Sequence, residues 1–567
     1  MLDLIKRWTF IVIVMNPLVN GDVFKGNEED NVISFVENVM ECRKVPGLAL
    51  SVVKGNETWT RGFGFADIKS GRKVAHDTLF VIGSLGKAFT MTLLGNLIQN
   101  TSYTWDTKIS YIDGLNLDFI DDEITREATL SDLLAHRTGL SSVNDYGFIA
   151  GYPAEADREF LSKRTKYIPK TLEFRNSFQY NNMMYMLLGH VTELLGRDSW
   201  DNLVTSRVFE PIGMLSSKVL LTSADVQQGN VAKPYILPED QLEDGNYDIY
   251  RIVPLEPAGG ILSNADDMAR WIRFNLRNGS TEDGQQLLPD DLLQEAFKDQ
   301  NMLPFGGAFV SQTTPRYPIN DITKAYGYAW FTSTYRGFRR IWHSGGLFSY
   351  VSLLWLYPDE QLGVFANING PGTVRDPGYA LKAVLSYVSD ILLSQTPWLN
   401  IETACSYPSP WVNSSFSIDT NPEPDNFTND RLDDFVGKYG NELLPDITIS
   451  VKERGSENEY LWLEMNRIKG ELLLTADVNV FKFKMEDPWE YAIERVLAEN
   501  LIITYPIEFT RSEDGVVESF NLTFSQKEIM KYRKNVMLVT EADISMSKRV
   551  QCSVVLLVSL HLIIHLL

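Results

Sequence analysis

The chain of 567 residues is too long for one ordinary hydrophobic core, so we expect two or three domains. An apolar content of 44% is normal for a globular protein. A formal net charge of −22 argues against nucleic-acid binding, which requires a basic surface, and suits a soluble extracellular protein.

The N-terminal stretch has the pattern of a secretory signal peptide. Lys6 and Arg7 precede an apolar run from Trp8 to Met15, and residues 19–21 offer an acceptable cleavage site. We therefore assign residues 1–21 to a signal peptide, with an uncleaved membrane anchor as the alternative.

The first folded elements are predicted to be a helix followed by a hairpin. Apolar residues recur on one side of residues 28–44, as in an amphipathic helix. Residues 48–53 and 59–66 have the composition of two strands separated by a turn. A hairpin that follows a helix indicates an antiparallel sheet with a helix packed on it.

The stretch from Thr78 to Trp105 contains one charged side chain, Lys87. The residues after Ser84 predict a helix that is apolar nearly all round and therefore buried. Burial of an unpaired ammonium is costly, and desolvation lowers its pKa until the lysine can accept a proton. Because Ser84 lies three residues before Lys87, the two side chains share one helix face. The pair therefore has the pattern of a nucleophile beside its base, with a chance match as the alternative.

Two more stretches precede residue 190. Residues 129–140 predict a short helix, and we favour a structural role for His136 over a catalytic one. No Asp, Glu, Lys or Arg occurs from residue 176 to residue 192, where Tyr180 and Asn182 open an apolar helix. From the residues alone, a helix cap by asparagine and a core tyrosine are the favoured interpretation.

The chain then returns to strands. Residues 258–271 predict a glycine turn, a cap and a surface helix. Strands at residues 326–331, 350–357 and 363–367 follow as consecutive antiparallel strands. The sequence His343-Ser344-Gly345-Gly346 lies among them in a span without formal charge, and its paired glycines allow close approach to the backbone.

The composition changes after residue 395. Residues 396–430 are rich in Ser, Pro, Asn and Asp and predict a linker. Strand-like runs at residues 447–452, 460–465, 471–475, 480–485, 501–505 and 516–524 predict a small β-barrel or sandwich over residues 431–540. The apolar tail at residues 548–567 resembles a GPI-attachment signal, with a short tail anchor as the alternative.

Glycosylation signals and cysteines also fit the secretory route. The chain has three cysteines, and Cys552 lies in the tail, so a tail-cleaved form has Cys42 and Cys405 as its candidate pair. No zinc-type cysteine cluster is present, and we expect neither a metal nor a cofactor. The asparagines of N-x-S/T triplets are Asn56, Asn100, Asn278, Asn413, Asn426 and Asn521.

Three charge-free stretches in this order resemble the serine β-lactamase-related family. That family includes class C β-lactamases, D-alanyl-D-alanine carboxypeptidases, D-aminopeptidases and related esterases. Its motifs are S-x-x-K, Y-x-N and a third that is K-T-G in many members and has the H-x-G form here. The resemblance covers residues 27–395, with a weaker match for the appended β-domain. The matching residues are Ser84 and Lys87, Tyr180 and Asn182, and His343, Ser344 and Gly345.

The resemblance implies an acyl-enzyme mechanism. Ser84 would attack a carbonyl carbon, while Lys87 with Tyr180 would accept the serine proton and pass it to the leaving group. Backbone N–H groups of Ser84 and Gly346 would hold the oxyanion, and Asn182 would hold a substrate amide or the lysine. Which of Lys87 and Tyr180 acts as the base stays open. The substrate-binding edge would be formed by His343, Ser344, Gly345 and Gly346.

Two departures from the bacterial pattern shape the expected function. Histidine at 343 is mostly neutral near pH 7 and anchors a substrate carboxylate less well than lysine, which favours esters or other peptides. The secretory features resemble animal members of the family, among them gigasin-like proteins of calcified shell matrix. We therefore predict a secreted or surface-anchored serine hydrolase acting on a small-molecule ester, amide or peptide. The alternative is an extracellular matrix or binding protein that uses the same fold with little turnover.

The resemblance also implies a fold of the α/β (α+β) class. Residues 27–395 are expected to form an antiparallel sheet flanked by helices, with a mostly helical subdomain inserted between Ser84 and about residue 300. In this fold the first and last helices pack side by side, which predicts a disulfide between Cys42 and Cys405. Two free buried thiols are the alternative.

Overall fold

The computed structural model describes most of the chain between residues 23 and 539. The predicted signal peptide, the apolar tail and the sequons at Asn413 and Asn426 lie outside the described residues. Within the described ranges, no helix has the length and apolar character needed to cross a membrane. These ranges are 23–142, 150–237, 241–304, 311–371, 377–411, 431–454, 459–486, 505–525 and 528–539.

The N-terminal domain combines long strands of one large sheet with short strands near the site. In chain order they are β1 (Gly47–Lys54), β2 (Glu57–Asp67), β3 (Arg72–Lys73), β4 (Phe80–Val81), β5 (Lys218–Val219), β6 (Tyr235–Ile236), β7 (Glu243–Asp244), β8 (Ile261–Ser263), β9 (Asn301–Met302), β10 (Asp321–Tyr326), β11 (Phe331–Tyr335), β12 (Phe338–Leu347), β13 (Tyr350–Tyr357) and β14 (Leu362–Ile368).

Helices cover both faces of the large sheet. In chain order they are α1 (Glu28–Cys42), α2 (Gly86–Ile98), α3 (Asp122–Glu127), α4 (Leu130–Leu134), α5 (Arg158–Ser162), α6 (Asn182–Gly196), α7 (Trp200–Val204), α8 (Glu210–Ile212), α9 (Ala224–Gln227), α10 (Glu256–Gly259), α11 (Ala265–Leu276), α12 (Asp290–Ala296), α13 (Pro377–Leu392) and α14 (Ile401–Ser406).

The large sheet has nine strands in the order β3-β2-β1-β14-β13-β12-β11-β10-β9, and its neighbours pair antiparallel. This confirms the predicted fold class. Pairing of β12 with β11 ends at Trp342 opposite Phe331, whereas pairing with β13 continues to Gly346 opposite Val351 and beyond. The last residues of β12 therefore extend past β11 and leave an edge that borders the site.

Alternating residues of the strands face two separate cores. In β1, Leu48 and Leu50 belong to a core shared with α1 and α13, whereas Ala49 and Val53 belong to the core shared with α2 and α11. A period of two is the expected consequence of strand geometry. The sheet thus separates a layer that holds the site from a layer that supports it.

The region between Ser84 and residue 300 is more mixed than predicted. It contains most of the helices and the β6–β7 pair. It also contains β5 and β8, which form a three-stranded sheet with the preceding strand β4 in the order β4-β8-β5. Helix α11 is buried rather than a surface helix. Its polar residues have partners on other segments: Asp267 accepts from the N–H groups of Ser216 and Ser217, and Arg273 donates to Thr58. The polar residues of α11, which had suggested a solvent-exposed face, instead form hydrogen bonds inside the protein.

The structure forms the disulfide between Cys42 and Cys405, with Cα atoms 5.8 Å apart. Cys405 lies on α14, within the segment that composition had assigned to the 396–430 linker. Leu399 and Tyr407, on either side of this helix, are buried in the core of α1 and α13. Residues 396–411 therefore belong to the N-terminal domain, because their apolar residues and cysteine bind them to it.

The C-terminal domain is a closed barrel of strands in sequential order. It confirms the predicted β-barrel and adds two strands that the sequence analysis had not assigned, at its beginning and end. The strands are β15 (Gly437–Gly440), β16 (Ile447–Lys452), β17 (Tyr460–Met465), β18 (Ile468–Leu474), β19 (Val480–Met485), β20 (Tyr505–Arg511), β21 (Val517–Ser525) and β22 (Glu528–Lys534).

Candidate active site

Ser84 lies in a single 3₁₀ turn, Gly83–Leu85, between β4 and α2. Gly83 has φ +54°, and a Cβ added there would lie 2.5 Å from the nitrogen of Gly346. A Cβ on Gly345 would lie 1.9 Å from the carbonyl oxygen of Ile82. Glycine is required at both positions, because the turn that carries Ser84 and the free edge of β12 touch backbone to backbone.

Access to solvent is confined to one residue of the Ser84 stretch. From Phe80 to Gly95, a stretch described without gaps, every residue except Ser84 is buried. The serine hydroxyl is therefore presented to the cleft by a turn whose other residues are fixed in the core.

Lys87 is completely buried and contacts neutral groups. Its Nζ lies 3.1 Å from Ser84 Oγ, 2.6 Å from Asn182 Oδ1 and 2.7 Å from the carbonyl oxygen of Ala258. In the described part of the chain, no carboxylate lies within ion-pair distance of this nitrogen. Burial holds the pKa of Lys87 well below its usual value, because no negative charge compensates for lost hydration.

The turn before α6 separates the tasks of two neighbouring asparagines. Asn181 is the helix cap, since its Oδ1 accepts from the N–H groups of Met183 and Met184. Asn182 is the first residue of the helix, and its Oδ1 accepts from Lys87. The sequence-based preference for an asparagine cap holds for Asn181, while Asn182 faces the lysine.

Tyr180 lies beside both members of the Ser84–Lys87 pair. Lys87 Nζ is 4.7 Å from the centre of the Tyr180 ring, and the phenol is close enough to Ser84 for the serine hydroxyl to influence its pKa. Burial raises the pKa of Tyr180, although Ser84 opposes the shift. The phenol is therefore neutral at physiological pH and can act as a proton donor.

His136 supports the Tyr180 turn from behind. Its Nδ1 accepts the N–H of Asn181 at 3.0 Å, and its ring centre lies 4.4 Å from that of Tyr180. Burial, together with the charges of Lys87 and His343, lowers the pKa of His136 well below its usual value. A neutral ring is required for Nδ1 to accept, so this geometry agrees with the structural role predicted for His136.

His343 is neutral and held in one tautomer. Its Nδ1 lies 2.5 Å from the carbonyl oxygen of Ser344, which can only accept, so this nitrogen carries the hydrogen. The Tyr326 hydroxyl then donates to Nε2 at 3.0 Å. Burial and the charge of Lys87 lower the pKa of His343 to about 3. The ring centre of His343 lies 6.2 Å from that of Tyr180, which places this strand at the same site.

The free edge of β12 alternates between buried and exposed residues. His343 and Gly345 are buried toward α2, whereas Ser344 and Gly346 are exposed. The structure thus brings the three predicted motifs into one cleft. The Ser344 side chain, by strand alternation, lies on the opposite side of the strand from His343.

Two contributors to the site were not predicted. The carbonyl of Ala258, at the end of α10, accepts from Lys87, and a backbone group gives no side-chain signal. The glycines of these segments are an indirect signal of the contact, because a Cβ on Gly86 would lie 3.4 Å from Gly259 Cα. Tyr326 was placed in a strand over residues 326–331, whereas β10 ends at Tyr326 and β11 begins at Phe331. Its hydrogen bond to His343 was not predicted. Among the described residues, no group of three or more His, Cys, Asp or Glu is arranged to hold a metal ion.

Comparison with protein families identifies the class. Residues 32–389 match the model of the Beta-lactamase family, which is more than half of the chain. The chain therefore belongs to the β-lactamase family.

Individual relatives agree with this assignment. An unguisins hydrolase of Aspergillus campestris is 27% identical over 376 residues, which cover 64% of this chain and 65% of that protein. The match thus spans slightly less than two thirds of that hydrolase. Gigasin-6 of Magallana gigas is 31% identical over 260 residues, covering 44% of this chain and 84% of that protein.

A solved structure extends the likeness beyond the N-terminal domain. The octameric penicillin-binding protein homologue from Pyrococcus abyssi is similar with a TM-score of 0.54 and 19% identity. The match covers 89% of this chain and 100% of that chain. At this level of identity the likeness concerns the fold.

Proposed function

We propose that the protein is a serine hydrolase that forms an acyl-enzyme on Ser84. The observation that carries this proposal is the contact between Lys87 Nζ and Ser84 Oγ at 3.1 Å, at the one partly exposed residue of a buried stretch. A hydroxyl beside a desolvated amine is an activated nucleophile.

The contacts of Lys87 define the direction of proton transfer. A neutral amine has two hydrogens and one lone pair. Asn182 Oδ1 and the Ala258 carbonyl can only accept, so they take both hydrogens. The lone pair is then left for the Ser84 hydroxyl, and Lys87 accepts its proton as Oγ bonds to the substrate carbonyl carbon.

The remaining groups complete the acylation step. The negative charge that develops on the substrate oxygen is held by the N–H groups of Ser84 and Gly346, which lie on the two segments in backbone contact. Tyr180, neutral and beside Ser84 and Lys87, donates its proton to the leaving group and recovers one from Lys87. The carbon–leaving-group bond breaks, and an ester to Ser84 remains. Water releases the acyl group by the reverse proton path.

The expected substrate is an uncharged ester, amide or peptide. His343 stands where many family members have a lysine, and its pKa of about 3 makes it neutral at physiological pH. It donates and accepts hydrogen bonds but provides no positive charge for a carboxylate. The name of the Aspergillus relative, a hydrolase, is consistent with this class.

Covalent labelling tests the proposal. A fluorophosphonate should modify Ser84 in the folded protein, as located by peptide mass spectrometry. Ser84→Ala should abolish labelling, and Ser406→Ala, at an exposed serine of α14, should leave it unchanged. Label found on a different serine, or none, would favour the non-catalytic matrix or binding protein. A panel of neutral esters, D-amino-acid amides, D-Ala-D-Ala peptides and cephalosporins then defines the acyl class.

We also propose that the protein is secreted and surface-anchored. Supporting observations are the Cys42–Cys405 disulfide and the exposed sequons at Asn56, Asn100 and Asn278. Asn521 is half-buried on β21 and should be the poorest acceptor among the described sequons. Expression in animal cells with glycosidase and phosphatidylinositol-specific phospholipase C treatment tests glycosylation and the GPI anchor. Release by carbonate instead would indicate peripheral association with matrix.

A further inference from the structure

We propose that Arg467, in the C-terminal barrel, is a positioning residue for the oxyanion-binding edge of β12, acting through Tyr250. The proposal rests on the proposed hydrolase function. It assigns a role in acylation to a domain whose described residues contribute no side chain to the active site.

The turn between β17 and β18 inserts into the N-terminal domain. Asn466, which has φ +51°, donates from Nδ2 to the carbonyl of Ala150 at 2.9 Å. Arg467 follows and donates from Nη1 to the carbonyl oxygens of Asp248 at 3.0 Å and Arg251 at 2.7 Å. Burial lowers the pKa of Arg467 to about 10, so it still carries its charge at neutral pH. A charged donor on neutral carbonyls makes a stronger hydrogen bond than a neutral donor.

The two carbonyls that Arg467 holds lie on either side of Tyr250. This tyrosine is fully buried, and its hydroxyl accepts the N–H of Ser349 at 3.3 Å. The Tyr250 ring packs edge-on against Phe348 and Tyr350, with centres 5.5 and 5.3 Å apart. The Tyr250 segment is therefore fixed by the barrel at its backbone and fixes the β12–β13 turn with its side chain.

That turn controls the position of Gly346. Leu347 pairs with Tyr350 across the turn, and Gly346 precedes it directly. Phe348 has φ +52°, a conformation that non-glycine residues hold only when surroundings impose it. Past Trp342, β12 has lost the support of β11, so its end depends on β13 and on this turn. A shift there moves the Gly346 N–H away from the developing oxyanion, and displacements of about 1 Å can cost ~10²-fold in rate.

The first test measures the rate of Ser84 acylation by a fluorophosphonate, together with kcat and KM on a neutral ester. Arg467→Ala should slow acylation about tenfold or more, chiefly through kcat, and Arg467→Lys should restore part of the rate. Tyr250→Phe should have a similar effect. The double variant should be no slower than the slower single variant, because both act on one element. Arg454→Ala, which removes an exposed barrel arginine paired with Asp433, is the matched control and should leave the rate unchanged.

A second readout does not depend on turnover. In protein labelled with ¹⁵N-glycine, the Gly346 amide resonance should shift in Arg467→Ala and Tyr250→Phe, and stay in place in Arg454→Ala. Gly346→Ala assigns the resonance, since its added Cβ meets no atom within 4 Å.

The outcomes separate the inference from the proposed function. Labelling of Ser84 at equal rates in Arg467→Ala and Arg454→Ala, with an unmoved Gly346 amide, overturns the inference and leaves the hydrolase standing. Multiplicative rate losses in the double variant also overturn it, because the barrel would then act by another route. A rate loss fully explained by the unfolded fraction at the assay temperature overturns it as well. Absence of Ser84 labelling in the wild-type protein contradicts the proposed function itself.

Discussion

Two lysines on opposite faces of the large sheet show how a nearby carboxylate determines the pKa of a buried lysine. Lys87 is fully buried under one face and contacts a hydroxyl, an amide oxygen and a carbonyl. Lys382, on the other face, keeps 25% of its side chain exposed and lies 3.3 Å from Asp321, which also pairs with the buried Arg340. Burial alone would lower both lysine pKa values, yet the pKa of Lys382 is raised because Asp321 attracts its proton.

The surroundings of Lys87 and Lys382 show that burial makes a lysine a base only when its neighbours are neutral. The Arg340–Asp321–Lys382 cluster is a structural ion pair whose members stay charged. Around Lys87, each acceptor satisfies a hydrogen without supplying a charge, which favours the neutral amine. Variants that exchange these two environments should therefore exchange their properties.

The largest expected effect is the loss of one lysine without loss of the fold. Lys87→Met fills the same volume and removes the proton acceptor, so acylation of Ser84 should fall ~10²–10⁴-fold. The variant should stay folded with a melting temperature near that of the wild type. Removal of a buried amine is favourable, but it is offset because Asn182 Oδ1 and the Ala258 carbonyl lose their donor.

The matched variant Lys382→Met should behave in the opposite way. Labelling should be retained, while the free energy of unfolding should fall by about 1–3 kcal/mol. This is less than complete loss of a buried ion pair costs, since Arg340 remains with Asp321. Equal loss of activity in both variants would show that Lys87 has only a structural role.

Adding a carboxylate beside Lys87 should make it resemble Lys382, which stays protonated beside Asp321. Asn182→Asp keeps the shape of the side chain and places negative charge at the atom 2.6 Å from Nζ. The lysine should then stay protonated, slowing acylation at neutral pH about 10²-fold and moving the activity profile to higher pH. Wild-type rates in this variant would exclude neutral Lys87 as the base.

The pH dependence of the wild-type protein sharpens the same point. A base with a lowered pKa is protonated below that pKa, so acylation should rise with pH through one acid limb assigned to Lys87. His343, with a pKa of about 3, should add no limb between about pH 4 and pH 8. A limb in this range that disappears in His343→Gln would contradict the neutral tautomer described here.

The smallest expected effect concerns substrate charge. His343→Lys would place an ammonium at the site and should improve kcat/KM for an anionic ester relative to its neutral isostere about tenfold, or ~1.4 kcal/mol. The measurement is the ratio of the two kcat/KM values, which does not depend on the folded fraction. An unchanged ratio would place position 343 outside the substrate-binding surface.

Sequence analysis predicted the site in proportion to how local its contacts are. Ser84 and Lys87 lie three residues apart on one helix, so their proximity followed from helix geometry and the absence of other charges. Tyr180 and His343 are distant in the chain, and the residues alone favoured a core tyrosine. Their place beside Ser84 came from the family resemblance, since only the tertiary fold brings these segments together.

The barrel shows a similar limit. Strand β22 was not predicted, because its exposed face carries Lys531 and Arg533 and reads as a polar segment. Met530 and Tyr532 alternate with them and are buried, which identifies a strand once the barrel is closed. The contact of Arg467 with the N-terminal domain could not be predicted from the sequence either, because its acceptors are backbone carbonyls of that domain.

Direct titration of the two lysines tests whether Lys87 is a neutral base while Lys382 stays charged. In protein labelled with ¹³Cε-lysine, NMR resonances of Lys87 and Lys382 are assigned by their disappearance in Lys87→Met and Lys382→Met. We expect Lys87 to titrate well below the usual lysine pKa of 10.5 and Lys382 above it. If the Lys87 resonance shows that the side chain stays protonated up to pH 10.5, Lys87 cannot be the neutral base of the active site.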